Sequence, residues 1–265
     1  MDPIYNTPDG LPRLIEVMRR LRDPDAGCPW DIEQDFKTIA PYTIEEAYEV
    51  ADAIEQSDMP ALEGELGDLL LQVVYHGQMG SEAGQFDVDS IARRSAAKMI
   101  DRHPHVFGDE KGEKTAEQQT RDWEAAKARE RGTGGETRTL DGVALGLPAL
   151  LRALKLQKRL SRVGFDWGAT GPVLDKLVEE VRELEAAKNA DEKEDEFGDL
   201  LFVMVNLARH WGIDPEAALR RTNAKVERRF AGVEDRLSAD GRSPSEASLE
   251  EMDALWEAVK ISEDK

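Results

Sequence analysis

Two groups of acidic residues in this chain have a spacing that suits a metal site. In the second half, Glu183 lies four residues after Glu179 and three after Glu180, so one helix face would carry all three. The next helix would carry Glu196 and Asp199, three residues apart. If these helices pack antiparallel, four or five carboxylates meet, and like charges stay that close only with a counter-ion or with shifted pKa values. Oxygen ligands without histidine or cysteine predict Mg²⁺, with Mn²⁺ as the alternative ion.

The first half of the chain repeats this acidic pattern. Its members are Glu46, Glu49, Glu65 and Asp68. The chain has 55 acidic residues among 265, so a single copy would be explained better by a solvated helix face. In both copies, however, an apolar run follows, at 69–74 and at 200–205. A helix that is apolar nearly all round is buried, and buried acids are paired or bound to metal.

Six further residues are candidates for binding a phosphorylated substrate. They are Lys225, Arg229, Trp256, Lys260, Asn206 and Asn223. Lysine and arginine suit phosphate oxygens that a metal leaves uncovered, tryptophan offers a stacking face for a base, and the amides could bond sugar, phosphate or water. The competing interpretation is structural, with surface ion pairs for the basic residues, core packing for the tryptophan and a helix-to-helix bond for Asn206.

Helical periodicity dominates the elements that would position these side chains, and no run of alternating β-branched residues stands out. The chain is therefore predicted to be all-α. The predicted helices span 11–22, 43–57, 60–80, 87–102, 115–130, 147–162, 171–188, 191–211, 214–237 and 247–262. Thr43 and the segment 57–60 have the side chains of helix starts. The glycine-rich stretch 131–137 is predicted to be a linker.

Five motifs recur in the same order on both sides of that linker. The pairs are 11–14 with 147–150, 43–49 with 176–183, 65–70 with 196–201, Lys98 and Arg102 with Lys225 and Arg229, and Trp123 and Lys127 with Trp256 and Lys260. Such ordered repetition indicates duplication of one module. We therefore predict a first module at 1–130, a linker at 131–140 and a second module at 141–265.

The composition of the chain excludes some classes of binding partner and indicates a cellular compartment. The net charge of −20 repels polyanions, so a nucleic acid polymer is a poor partner, although metal ions could bridge a small anion to the carboxylates. The one cysteine, Cys28, excludes an internal disulfide and favours a reducing compartment. Residues 1–5 lack a signal-peptide pattern, and no stretch approaches 18 apolar residues. We expect a cytoplasmic protein that does not bind membranes.

Beyond the acidic groups, several segments are distinctive in combination. In the first half they are Cys28–Asp31, Ala40–Thr43 and Arg102–Phe107; in the second half they are Lys155–Lys158, Gly164–Trp167, Asn223–Phe230 and Trp256–Lys260. With the acids, and over nearly the whole chain, they closely resemble the MazG family of nucleoside triphosphate pyrophosphohydrolases. That resemblance implies four-helix-bundle-like modules completed by a homodimer, Mg²⁺, and cleavage of nucleoside triphosphates to nucleoside monophosphate and pyrophosphate.

The corresponding hypothesis places Mg²⁺ on Glu180, Glu183, Glu196 and Asp199. Glu179 would be a ligand or the base toward a water that attacks the α-phosphorus, while the basic residues hold the leaving pyrophosphate. The second module is predicted to carry most of the activity, because Tyr75 and Ala96 stand in the first module where the second has Asn206 and Asn223. The first module is then structural or regulatory, with its four acids as a second metal site.

Three other classes of protein share part of this pattern. A di-iron bundle requires Glu-x-x-His motifs, and no glutamate lies three residues before any of the four histidines. A MutT-type hydrolase is faintly suggested by 182–185, but the glycine, the second acid pair and the strands are missing. The remaining alternative is a non-catalytic nucleotide-sensing or protein-interaction module, against which the intact acids of both copies speak.

Overall fold

The computed structural model describes residues 2–108, 115, 118–119, 122–123 and 138–263. Within these residues the chain forms helices and no strands, which confirms the all-α prediction. The helices are α1 (Leu11–Leu21), α2 (Pro29–Glu33), α3 (Phe36–Gln56), α4 (Met59–Glu82), α5 (Val88–Arg102), α6 (Pro104–Phe107), α7 (Ala149–Arg162), α8 (Thr170–Ala186), α9 (Ala190–His210), α10 (Pro215–Ala239) and α11 (Leu249–Glu263). The predicted helix at 115–130 and linker residues 131–137 lie almost entirely outside the described residues.

Two compact units divide the chain, Met1–Ala128 and Arg129–Lys265. In the first unit, α3 and α4 form a helical hairpin, and α1 and α5 pack on α4. Its core centres on Met18, Ile39, Val74, Tyr75 and Met79, which are all at most 4% exposed. This hairpin carries the acidic residues of the first repeat.

The second unit is built on the same plan. Helices α8 and α9 form its hairpin, α7 packs on α9, and α10 pairs with α11. Val233, Leu237 and Val259 form the core between α10 and α11, where Trp256 packs from the edge. In both units a preceding helix therefore packs on the second arm of an acidic hairpin, as expected for two copies of one module.

The predicted helix start at Thr43 is wrong. Helix α3 begins seven residues earlier, because the Asp35 carboxylate accepts from the backbone N–H groups of Lys37 and Thr38 at 2.7 and 2.9 Å and caps it. The helix continues through Pro41, at the expense of one backbone hydrogen bond. The Thr43 hydroxyl lies 3.0 Å from Nε2 of His76 on α4, so this threonine joins the two arms of the hairpin.

The start predicted within 57–60 is confirmed, although the capping residue is Asp58. Its carboxylate accepts from the N–H of Ala61 at 3.0 Å. Ser57 instead ends α3 with a φ of 58°.

Both hairpins expose apolar side chains at matching positions of the repeat. The matched pairs are Ile44 with Val178, Leu66 with Phe197, Leu70 with Leu201 and Val73 with Met204, all at least 36% exposed. Among the described helices none has the length and apolar character needed to cross a membrane.

Candidate metal and phosphate site

The second hairpin brings three glutamates to one point, which we call the second acidic cluster. Glu180 and Glu183 come from α8 and Glu196 from α9, and one carboxylate oxygen of each lies within 4.8 Å of the other two. Helix α9 is set in place by Asn189, whose side chain accepts from the N–H of Glu192 and caps the helix. The spacing predicted from helical geometry therefore does place these acids together.

The members of this cluster differ in burial, and burial and neighbouring charges shift the pKa of Glu196. Glu180 is 4% exposed, whereas Glu179 and Asp199 lie on the surface. Burial raises the pKa of Glu196, and the neighbouring charges of Glu183, Glu180 and Asp199 raise it further. Asp199 thus acts on the cluster electrostatically without being one of its three closest members.

A lysine that the sequence analysis did not single out lies against these acids. The Nζ atom of Lys176 is 2.7 Å from Glu180, 2.8 Å from Glu179 and 3.7 Å from Glu183. Hydrogen bonds to Glu179 and Glu180 raise the pKa of the Lys176 ammonium. The local signal for this contact was its position three and four residues before the paired glutamates, one turn earlier on the same helix face.

The first hairpin forms an equivalent first acidic cluster from Glu46, Glu49 and Glu65, whose closest oxygens also lie within 4.8 Å of one another. Burial raises the pKa of Glu46, as do the charges of Asp68 and Glu49. Burial raises the pKa of Glu65 as well. When Glu46 is aligned with Glu180, Tyr42 stands where the second unit has Lys176. In the described part of the chain no ion pair reaches the acids of the first cluster.

Both clusters fit a hard divalent cation. Their donors are carboxylate oxygens only, which suits Mg²⁺ or Mn²⁺ rather than zinc. Opposite ligands in an octahedral Mg²⁺ shell lie about 4.2 Å apart, given ligand distances of about 2.1 Å. Neighbouring ligands of the same shell lie about 3.0 Å apart, so oxygens that already lie within 4.8 Å of one another would have to move closer together to share one ion.

The predicted basic and aromatic residues lie on α10 and α11. The Arg229 guanidinium lies 5.7 Å from the ring centroid of Trp256, and its Nε donates to Glu263 at 2.7 Å. Lys260 is 3.2 Å from Glu257 on its own helix, and Lys225 is half-buried. Across the described residues no ion pair joins these basic side chains to the second acidic cluster.

The two predicted amides lie in different surroundings. Asn223 is exposed on α10, whereas Asn206 is 6% exposed and its Oδ1 accepts from Arg209 at 2.8 Å. Arg209 also donates to Asp166 at 2.5 Å, in the loop after α7. Asn206 therefore supports a loop anchor, and substrate contacts of both amides stay predictions.

The first unit has a different anchor at the same place. The buried Tyr75 hydroxyl, at the repeat position of Asn206, donates to the backbone and side-chain oxygens of Asp31 at 3.0 Å each. Burial raises the pKa of Tyr75 to about 12. Arg102 lies over Trp123 at 5.6 Å, which repeats the Arg229–Trp256 stack of the second unit.

Comparison with known proteins gives matches over most of the chain. The family model of the MazG nucleotide pyrophosphohydrolase domain matches residues 34–107 and 172–233. A nucleoside triphosphate pyrophosphohydrolase of Escherichia coli strain K12 is 48% identical over 258 residues, which cover 96% of this chain and 98% of that protein. The nucleoside triphosphate pyrophosphohydrolase/pyrophosphatase MazG of Thermotoga maritima is 42% identical over 247 residues, or 93% of this chain and 94% of that protein.

Proposed function

We propose, since the chain belongs to the MazG family of nucleotide pyrophosphohydrolases, that it uses Mg²⁺ at the second acidic cluster to hydrolyse nucleoside triphosphates. The products are nucleoside monophosphate and pyrophosphate. The observation that carries this proposal is the convergence of Glu180, Glu183 and Glu196 within 4.8 Å on a matched segment of the family. The enzyme relatives favour this function over the non-catalytic module that the sequence left open.

In the proposed reaction the oxygen of a water bonds to the α-phosphorus, and the bond from that phosphorus to the α–β bridging oxygen breaks. Glu180, Glu183, Glu196 and Asp199 would hold Mg²⁺, which when bound would neutralise charge on the phosphates. Glu179, exposed at the edge of the cluster, accepts the proton of the water.

The leaving group and the base are assigned to the basic and aromatic residues on α10 and α11. Lys225, Arg229 and Lys260 offset the charge of the pyrophosphate, and Trp256 stacks on the base. Arg229 must exchange its contact with Glu263 for a phosphate oxygen. Asn206 and Asn223 are proposed to orient sugar or water.

A homodimer accounts for the exposed apolar faces of the hairpins. Phe197 and Met204 are each 52% exposed, and Val178 is 49% exposed. Burial of apolar surface stabilises a protein by about 25 cal/mol for each Å² removed from water. A second copy of the chain that covered these side chains would therefore be stabilising. We propose that the partner's hairpin covers it and completes the bundle.

The reaction is tested by incubating the protein with each nucleoside triphosphate and measuring pyrophosphate and orthophosphate separately. We expect nucleoside monophosphate and pyrophosphate with Mg²⁺, and no turnover after addition of a chelator. Asp199→Asn should abolish most turnover while circular dichroism shows an unchanged helical content. Release of orthophosphate with nucleoside diphosphate as the first products would contradict the proposal.

A further inference from the structure

The ammonium group of Lys176 offsets negative charge at the second acidic cluster, as a bound cation would. It lies on α8 one turn before the acids and makes its closest contact, 2.7 Å, with the buried carboxylate of Glu180. It also reaches Glu179 at 2.8 Å and Glu183 at 3.7 Å. The ammonium is within hydrogen-bond distance of Glu179 and Glu180, and its contact with Glu183 is an ion pair without a hydrogen bond.

Two of those carboxylates belong to the set that would hold a divalent ion. Oxygens of Glu180 and Glu183 lie within 4.8 Å of an oxygen of Glu196, so a metal bound there would be close to the Lys176 nitrogen. A divalent ion and an ammonium on the same carboxylate repel each other, and their repulsion is weakly screened where the carboxylate is buried. Metal and lysine therefore compete for Glu180 and Glu183.

The first acidic cluster is an internal comparison. It has the same three-glutamate geometry, but Tyr42, an exposed neutral residue, stands at the position of Lys176. Its acids are crowded, and within the described residues no lysine or arginine forms an ion pair with them. The lysine is therefore not a requirement of the hairpin fold and distinguishes the second unit.

We propose that Lys176 is the resting counter-ion of the second acidic cluster and that it must withdraw from Glu180 and Glu183 before a divalent metal can bind. This inference rests on the proposed metal site. It makes Lys176 a positioning residue that holds the carboxylates together in the metal-free protein and lowers their affinity for metal. Metal should then bind weakly to the free protein.

The test measures the binding of Mn²⁺ to the full chain without nucleotide. The electron paramagnetic resonance signal of free Mn²⁺ reports how much of the ion remains unbound. Glu46→Gln and Glu65→Gln in every sample remove two ligands of the first acidic cluster. Lys176→Met should bind Mn²⁺ at least about tenfold more tightly, which corresponds to about 1.4 kcal/mol. Lys176→Gln should behave in the same way, and Lys176→Arg should retain the weak binding.

The matched control is Lys193→Met, which removes the same charge three residues before Glu196 from a side chain that makes no ion pair within the described residues. We expect it to change the affinity less than threefold. Equal or weaker Mn²⁺ binding after both Lys176→Met and Lys176→Gln, in proteins with unchanged circular dichroism, would overturn the counter-ion role and leave the metal site standing. Absence of Mn²⁺ binding in all of the proteins would overturn both.

Discussion

The negative charge of Asp166 lies in a half-buried position, where polar neighbours stabilise it. Its carboxylate accepts from Ser161 at 2.8 Å and from Arg209 at 2.5 Å, and His210 lies 3.2 Å away. Burial on its own would raise the pKa of Asp166, but the hydrogen bonds from Ser161 and Arg209 outweigh it and lower the pKa. The loop after α7 is thereby tied to the end of α9.

Asp166→Asn should lower the free energy of unfolding by about 1.5–3 kcal/mol at neutral pH, because it removes hydrogen bonds to a charged group. The folded-state pKa lies below the unfolded value of about 3.9, so the unfolded chain binds the proton more readily. The wild-type advantage is therefore complete above about pH 5 and is lost as the pH falls through the folded-state pKa. Urea unfolding between pH 3 and 7 measures this difference.

Asp175→Asn on the exposed face of α8 is the control, since it removes the same charge without a described ion pair. It should change the stability by less than about 0.5 kcal/mol. A difference for Asp166→Asn that did not vary with pH would show that the carboxylate contributes by shape alone.

At the scale of elements, the hairpin of α8 and α9 packs one face against its own unit and exposes apolar side chains on another face. A Cβ atom added at Gly198, in the middle of α9, would meet nothing within 4 Å, and the same holds for Gly67 in α4. Phe197 and Leu201 flank Gly198 and are exposed. The open glycine and its apolar neighbours form a surface that a partner helix could approach closely.

Phe197→Glu should convert the proposed homodimer to a monomer, because a charge would have to be buried against the partner subunit. Size-exclusion chromatography with light scattering measures the mass of each form. Val163→Glu, at a 64% exposed position outside the hairpin, should leave the dimer intact. A wild-type protein with the mass of a single chain would refute the dimer.

At the scale of the whole molecule, two units share one plan but differ around their acids. The second unit pairs Glu180 with Lys176 and has Asn206 seven residues after Asp199, whereas the first has Tyr42 and Tyr75 at the corresponding repeat positions. Similar clusters of acids with different neighbours predict that the units are not equivalent in turnover.

Glu180→Gln should reduce turnover by at least about 100-fold, since loss of a metal ligand removes several kcal/mol of stabilisation of transition-state charge. The matched variant Glu46→Gln occupies the same position in the first unit and should reduce it less than threefold. Steady-state pyrophosphate release measures both, and circular dichroism checks the fold. Loss mainly in the Glu46 variant would reverse the assignment of the units, and equal halving would indicate two working sites.

Sequence by itself determined the features that depend on neighbours within a few turns. The long helices and the placing of Glu180 and Glu183 on one face of α8 follow from the period of 3.6 residues, and the repeated motifs predict the duplication. The short helices α2 and α6 were not predicted. Even the missed start of α3 had a local cause, the Asp35 cap. The contact of Lys176 was equally within reach of helical spacing.

Tertiary structure alone decided contacts between residues far apart in the chain. Asp166 meets Arg209 across 43 positions, Tyr75 meets Asp31 across 44, and Arg229 meets Glu263 across 34. The orientation of Asn206 toward Arg209 likewise depends on how α9 packs on α7. Such partners are set by the direction in which packed helices present their side chains, and periodicity identifies a face without identifying what the face meets.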